Sequence, residues 1–135
     1  VLEQEFTELS KWRLEKAKKS LAESQNGILN ESYEVAANRS YYAVFHAIRS
    51  LLALEGIDFK KHSAVISHFR QHYIKTKVFD EEFSDIIGRA FEIRGNADYE
   101  DYYLVAKDEV AQQLSDATRF VNAIEAYLKI KYDEK

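Results

Sequence analysis

A chain of 135 residues with a formal charge of −4, no Cys, no Pro and four Gly has room for one hydrophobic core, and it excludes a disulfide scaffold, a thiolate zinc site and a cysteine nucleophile. Its hydrophobic fraction of 46%, with nine Tyr, eight Phe and one Trp, exceeds what a disordered chain carries. No run approaches the roughly eighteen apolar residues of a membrane span, and Val1–Ser10 holds three Glu where a secretory leader would place Lys or Arg, so one domain over residues 1–135 with a cytoplasmic address and no membrane partner is expected.

Nearly every segment reads at a period of 3.6. From Glu3 to Gln25, Phe6, Leu9, Trp12 or Arg13, Ala17 and Leu21 recur at helical spacing, with Gly27 as the expected terminator. Lys11, Arg13, Lys16, Lys18 and Lys19 give this helix a basic band opposed only by Glu15, which reads as a solvated face or as an electrostatic docking surface. A second helix, capped by Asn30 or Ser32 and ended by Gly56, carries the apolar stripe Tyr33, Ala37, Tyr41, Val44, Phe45, Ile48 and Leu52. Small residues at Ala36, Ala37, Ser40, Ala43 and Ala47 let another helix come close. A neighbouring polar stripe of Asn38, Tyr42, His46 and Arg49 must be hydrogen-bonded or wet, as in a crevice.

His62–Tyr73 is expected as a shorter helix burying Val65, Ile66, Phe69 and Tyr73, and Asp80 as the cap of a fourth helix through Phe83, Ile86, Ile87, Ala90, Phe91 and Ile93. A kink or break is expected at Gly95-Asn96, because Gly costs helix stability and Asn competes for backbone hydrogen bonds. The last helix spans about Lys107–Lys131. About five helical segments with short connections predict an all-α, up-and-down bundle.

No glycine-rich phosphate loop, His-Glu-x-x-His pair, calcium loop or nucleophile elbow occurs. His68 and His72 stand four apart on one helix, but His62 points away from them, so no metal site and no cofactor are expected. The sharpest local signal is Arg94-Gly95-Asn96-Ala97-Asp98-Tyr99. Arg94 and Asp98 at i and i+4 read either as a pair that satisfies a half-buried charge or as a guanidinium oriented toward a phosphate. Tyr99, Tyr102 and Tyr103 follow, serving as core rim or as stacking faces for bases. Residues 1–75 carry eleven basic and nine acidic side chains and the remainder eight and fourteen. Such a balance still permits one positive crevice built from Arg39, Arg49 and Arg94.

Three stretches together resemble the HEPN superfamily of small helical domains: Asn38-Arg39-Ser40-Tyr41-Tyr42-Ala43-Val44-Phe45-His46-Ala47, Lys61-His62-Ser63-Ala64-Val65, and Ala90 to Tyr99. The resemblance covers about residues 5–130 and is to the small stand-alone prokaryotic subfamily. It implies a homodimer that binds nucleotide or RNA and works beside a separately encoded minimal nucleotidyltransferase in a toxin-antitoxin or defence pair. Many members are metal-independent ribonucleases that need an Arg followed, after four to six intervening residues, by His. Arg94 matches the Arg, whereas Tyr99 stands where a His would, and no His follows His72.

On that resemblance the catalytic candidates are Arg94, Asp98 and Tyr99, with His46 as a histidine from another helix. The nucleotide- or RNA-binding candidates are Arg94, Asn96, Tyr99, Tyr42, His46 and Arg49. Tyr99 and Tyr102 are candidates for modification by the partner enzyme. Three functions are consistent with this: a phosphate-binding module with little or no catalysis, an active ribonuclease whose histidine is replaced, and a structural dimerisation module. The missing His weighs against efficient cleavage, since an ordinary Tyr is a poor proton acceptor near neutral pH.

Overall fold

The computed structural model describes residues 2–99 and 104–134, with residues 97–99 described by backbone alone. It is all helical: α1 (Leu2–Leu29), α2 (Tyr33–Leu54), α3 (His62–Phe69), a five-residue π turn (Arg70–Ile74), α4 (Glu82–Tyr99) and α5 (Lys107–Asp133) form an up-and-down bundle. Among the described residues no helix is long and apolar enough to cross a membrane.

α2 is the axis, packing against α1, α3, α4 and α5. Its Tyr41, Val44, Ile48, Leu51 and Leu52 are buried together with Phe69, Ile86, Ile87, Phe120, Ile124 and Leu128 from the surrounding helices. The expected small-residue approach is to α1. Ala36, Ala43 and Ala47 on α2 and Ser10, Ala17, Ser20 and Ser24 on α1 are buried, and Ser24 donates to the carbonyl of Ala36 at 2.8 Å.

Three local expectations are corrected and one alternative is decided. Gly27 does not end α1, which continues to Leu29. A Cβ at Gly27 would lie 3.1 Å from Cβ of Ala36, so the glycine serves close packing between α1 and α2. Of the alternatives Trp12 and Arg13, the inward residue is Arg13, while Trp12 is 63% exposed. Gly95 and Asn96 lie inside an unbroken α4, because the buried Ile86, Ile87 and Ala90 anchor that helix and tertiary packing outweighs a glycine penalty of about 1 kcal/mol. In the third segment regular α-helix stops at Phe69 and widens into the π turn.

Gly56 does end α2, with φ of 74°, and a Cβ there would meet the Phe6 ring at 2.6 Å. Gly56→Ala is expected to destabilise by at least about 1 kcal/mol from the left-handed backbone alone, read as a lower denaturant midpoint with an unchanged slope. An unchanged midpoint would mean that this turn relaxes without strain.

Candidate functional site

The polar stripe on α2 lies half-buried throughout: Asn38, Tyr42, His46 and Arg49 are neither sealed nor fully exposed. Beside it the α2 aromatics form a floor, with Tyr41 and Tyr42 edge-to-face at 5.1 Å and Tyr41 stacked on Phe45 at 6.0 Å. Three guanidinium groups rest on that floor. Arg94 from α4 lies 5.1 Å from the centre of Tyr41 and 5.5 Å from Tyr42, Arg39 lies 5.0 Å from Tyr42, and Arg49 lies 6.0 Å from Phe45, all within cation-π range. The crevice expected from Arg39, Arg49 and Arg94 is thus assembled over one aromatic surface. Arg94 is half-buried rather than enclosed.

Arg39 and Arg49 each meet a carboxylate. Arg39 pairs with Glu23 at 3.5 Å and donates twice to Oδ1 of Asn38. Arg49 pairs with Asp58 at 3.2 Å, a carboxylate that also meets the buried Arg13 at 3.4 Å. Arg13 in turn donates to the carbonyl of Arg49. Desolvation works against the Asp58 carboxylate, but Arg49, the Phe59 amide and Arg13 outweigh it and hold its pKa below the ordinary value.

His62, at the first turn of α3, belongs to the same surface. Its Nδ1 lies 3.0 Å from the Tyr41 hydroxyl, its ring stacks on Phe45 at 4.0 Å, and it lies 5.9 Å edge-on from Tyr42. Arg94 and His62, on different helices, therefore share Tyr41 and Tyr42. Burial pushes the Tyr41 phenol up to about 12, so it keeps its proton at neutral pH. Burial, then the nearby Arg94 and Arg49 charges, lowers the His62 pKa. The imidazole is neutral at pH 7, with Nδ1 taken and Nε2 on the opposite edge.

His46, the histidine singled out on sequence, sits otherwise. Its ring is 5.8 Å from Tyr42, and its buried Nδ1 has no hydrogen-bond partner among the described residues. Burial, followed by the charges of Lys16, Arg49, Arg39 and Arg13, drives its pKa down to about 4, which makes it a weak base. In the unfolded chain it titrates near 6.5. The unfolded state then binds the extra proton between about pH 6.5 and 4, so this contribution is complete above pH 6.5 and is lost as pH falls. With part of the imidazole open to solvent, screening reduces the effect to about 1–2 kcal/mol. Wild type is expected to lose melting temperature faster than His46→Gln between pH 6.5 and 4.5; parallel curves would contradict a buried neutral imidazole.

Asn96 lies apart, lining the groove between α4 and α5 with Arg89, Ile93 and Gln113. The side chains of Asp98 and Tyr99, and all of Tyr102 and Tyr103, lie outside the described residues. His68 of α3 and His72 of the π turn lie 4.2 Å apart with tilted rings, and His68 meets Glu55 at 3.0 Å. Among the described residues no three metal-ligating side chains converge. The residue that helix-by-helix reading did not join to Arg94 is His62, although it stands in the Lys61–Val65 stretch that carries the family resemblance.

The HEPN domain family matches residues 10–127. A Methanocaldococcus jannaschii protein named "Putative toxin MJ0142" is 36% identical over 115 residues, which is 85% of this chain and 78% of that protein. A "UPF0332 protein" of Thermotoga maritima is 31% identical over 118 residues, 87% of this chain and 89% of that one. The crystal structure of an archaeal HEPN homologue superposes with a TM-score of 0.61 at 18% identity, over 88% of this chain and 97% of the homologue, a likeness of fold.

Proposed function

This chain belongs to the HEPN family, and from that premise we propose that it binds the phosphate of RNA or of a nucleotide at the arginine-lined aromatic surface of α2 and α4, in a toxin-like role. The observation that carries this reading is the half-buried Arg94 guanidinium laid on Tyr41 and Tyr42, with Arg39 on the same Tyr42 ring. A planar cation stacked on aromatic faces has its donors in the plane, where a phosphate oxygen is recognised. The "toxin" in the name of the Methanocaldococcus jannaschii relative supports the biological setting. The homodimer and the minimal nucleotidyltransferase partner belong to the same proposal, with Tyr99 and Tyr102 as the hydroxyls that such an enzyme would modify. Asp98 would orient Arg94, and Arg49 and Tyr42 would extend the contact along α2.

Arg94→Ala tests it. Titration of a labelled single-stranded RNA octamer is expected to show affinity at least ten-fold lower, and the slope of log affinity against log salt smaller by about 1. Arg94→Lys keeps the charge, loses the planar fork and should fall between. Equal affinity in all three proteins rejects Arg94 as the phosphate contact. If instead Arg94→Ala dissociates a dimer before any change in RNA affinity, the site is a dimerisation element.

A second reading, metal-independent RNA cleavage, is favoured by His62. Its neutral imidazole shares a floor with the Arg94 cation, which supplies a proton acceptor and a charge stabiliser on one surface. In that reading Nε2 of His62 takes the proton of the 2′-hydroxyl, whose oxygen attacks phosphorus. The bond to the 5′-oxygen breaks and the leaving oxygen takes a proton from water, giving a 2′,3′-cyclic phosphate and a 5′-hydroxyl.

A further inference from the structure

Between α3 with its π turn and α4 lies an open cleft of about 410 Å³, within the size range of small-ligand sites. Ile66, Ile87 and Phe91 line it with apolar surface, and Arg70, Gln71 and Lys75 with polar groups. Two features tie it to the Arg94 surface. Phe91, one helical turn before Arg94, is 49% exposed and packs edge-on against Tyr41 at 6.1 Å; on the facing wall Ser63 directly follows His62. Through Phe91 and Ser63 the cleft neighbours the surface that carries Arg94 and His62.

At Gly88 the cleft has room for a side chain, since among the described residues a Cβ there would meet only Nη2 of Arg70, at 3.7 Å. Arg70 is held in place by donating from Nε to the Ser84 hydroxyl at 2.9 Å and from Nη2 to the Ser84 carbonyl at 3.2 Å. A cleft with apolar side chains, one half-exposed aromatic ring and two cations in its lining, and with the Arg94 guanidinium one helical turn beyond that ring, fits a planar heterocycle attached to a phosphate. We propose that this cleft is a nucleobase subsite, which takes a base of single-stranded RNA whose phosphate lies at Arg94. The inference rests on the phosphate-binding reading of Arg94 and adds the source of affinity beyond charge. A base stacked on an aromatic side chain contributes roughly five-fold to a hundred-fold in affinity and tolerates any sequence, because every base has a π-face.

The test compares a labelled single-stranded RNA octamer with an octamer of the same length and charge that lacks its bases, titrated against wild type, Gly88→Ala and Gly88→Leu. Both substitutions suit a helix, and the space at Gly88 accommodates a side chain, so folding is retained and is checked by circular dichroism. Wild type is expected to bind the base-bearing octamer at least ten-fold more tightly than the abasic one. Gly88→Leu, which fills the slot, should remove most of that difference and leave abasic binding within two-fold of wild type, while Gly88→Ala stays near wild type. A Gly88→Leu protein that still prefers base-bearing RNA as wild type does overturns the subsite and leaves the phosphate site standing. Wild type that binds neither octamer overturns the phosphate reading and the subsite with it. If Gly88→Leu keeps RNA affinity but turns a dimer into a monomer in sedimentation, the cleft receives a second copy of the chain and the nucleobase assignment is wrong.

Discussion

Tyr41→Ala is expected to destabilise the protein by about 3–5 kcal/mol, the range for removing a large buried aromatic side chain, and to lower the melting temperature by roughly 10–20 °C at this chain length. Tyr41 is 1% exposed and its ring meets Tyr42, Phe45, His62, Phe91 and the Arg94 cation. Neighbouring side chains come from three helices, so the void left by truncation cannot close by moving one of them. Tyr41→Phe separates ring from hydroxyl. It keeps the surface under Arg94 and loses only the link to Nδ1 of His62, with an expected cost of about 1 kcal/mol. Thermal unfolding of the two variants measures both, and RNA titration of Tyr41→Phe should match wild type if Arg94 needs the ring alone. A Tyr41→Ala protein that melts within a few degrees of wild type would show that Tyr41 is not the shared support of Arg94 and His62.

The dependence on Tyr41 marks where sequence periodicity succeeds and where it stops. The apolar and polar stripes of α2 were readable because each is local, recurring every three or four residues, and both appear in the fold as core and half-buried flank. Gly27 and Gly95 were harder, because a glycine that allows close packing and a glycine that ends a helix have the same side chain. Only the neighbour distinguishes them: Ala36 lies against Gly27, whereas among the described residues nothing lies within 4 Å of a Cβ at Gly95. Trp12 and Arg13 offered the same helical register, and hydrophobicity favours Trp inside. The buried side of α1 carries Ser10, Leu14, Ala17, Ser20 and Ser24, and beside them Arg13 finds Asp58 and the Arg49 carbonyl. The meeting of His62 with Tyr41 and Tyr42 depends on how α3 docks on α2, which no spacing within either helix encodes.

If the chain cleaves RNA, His62→Gln is expected to lower kcat by about a hundred-fold or more, the usual scale for removing a general base, while KM and the affinity for uncleavable RNA change little. Gln matches the volume and polarity of His but cannot accept a proton. The pH profile distinguishes proton transfer from a packing effect. A base must be unprotonated, and burial together with Arg94 and Arg49 depresses the His62 pKa below its ordinary 6.5, so kcat/KM should be flat through neutral pH and fall on the acid side below that value. In His62→Gln that acid limb should disappear along with most of the rate, whereas Tyr41→Phe, which loosens the imidazole without removing it, should keep the limb at a reduced rate. Products ending in 2′,3′-cyclic phosphate, identified by mass spectrometry, are the chemical signature of 2′-hydroxyl attack. A His62→Gln protein cutting at the wild-type rate rejects His62 as the base. Wild type that binds RNA through Arg94 without cutting it rejects the nuclease reading and leaves an arginine-lined surface whose role is recognition.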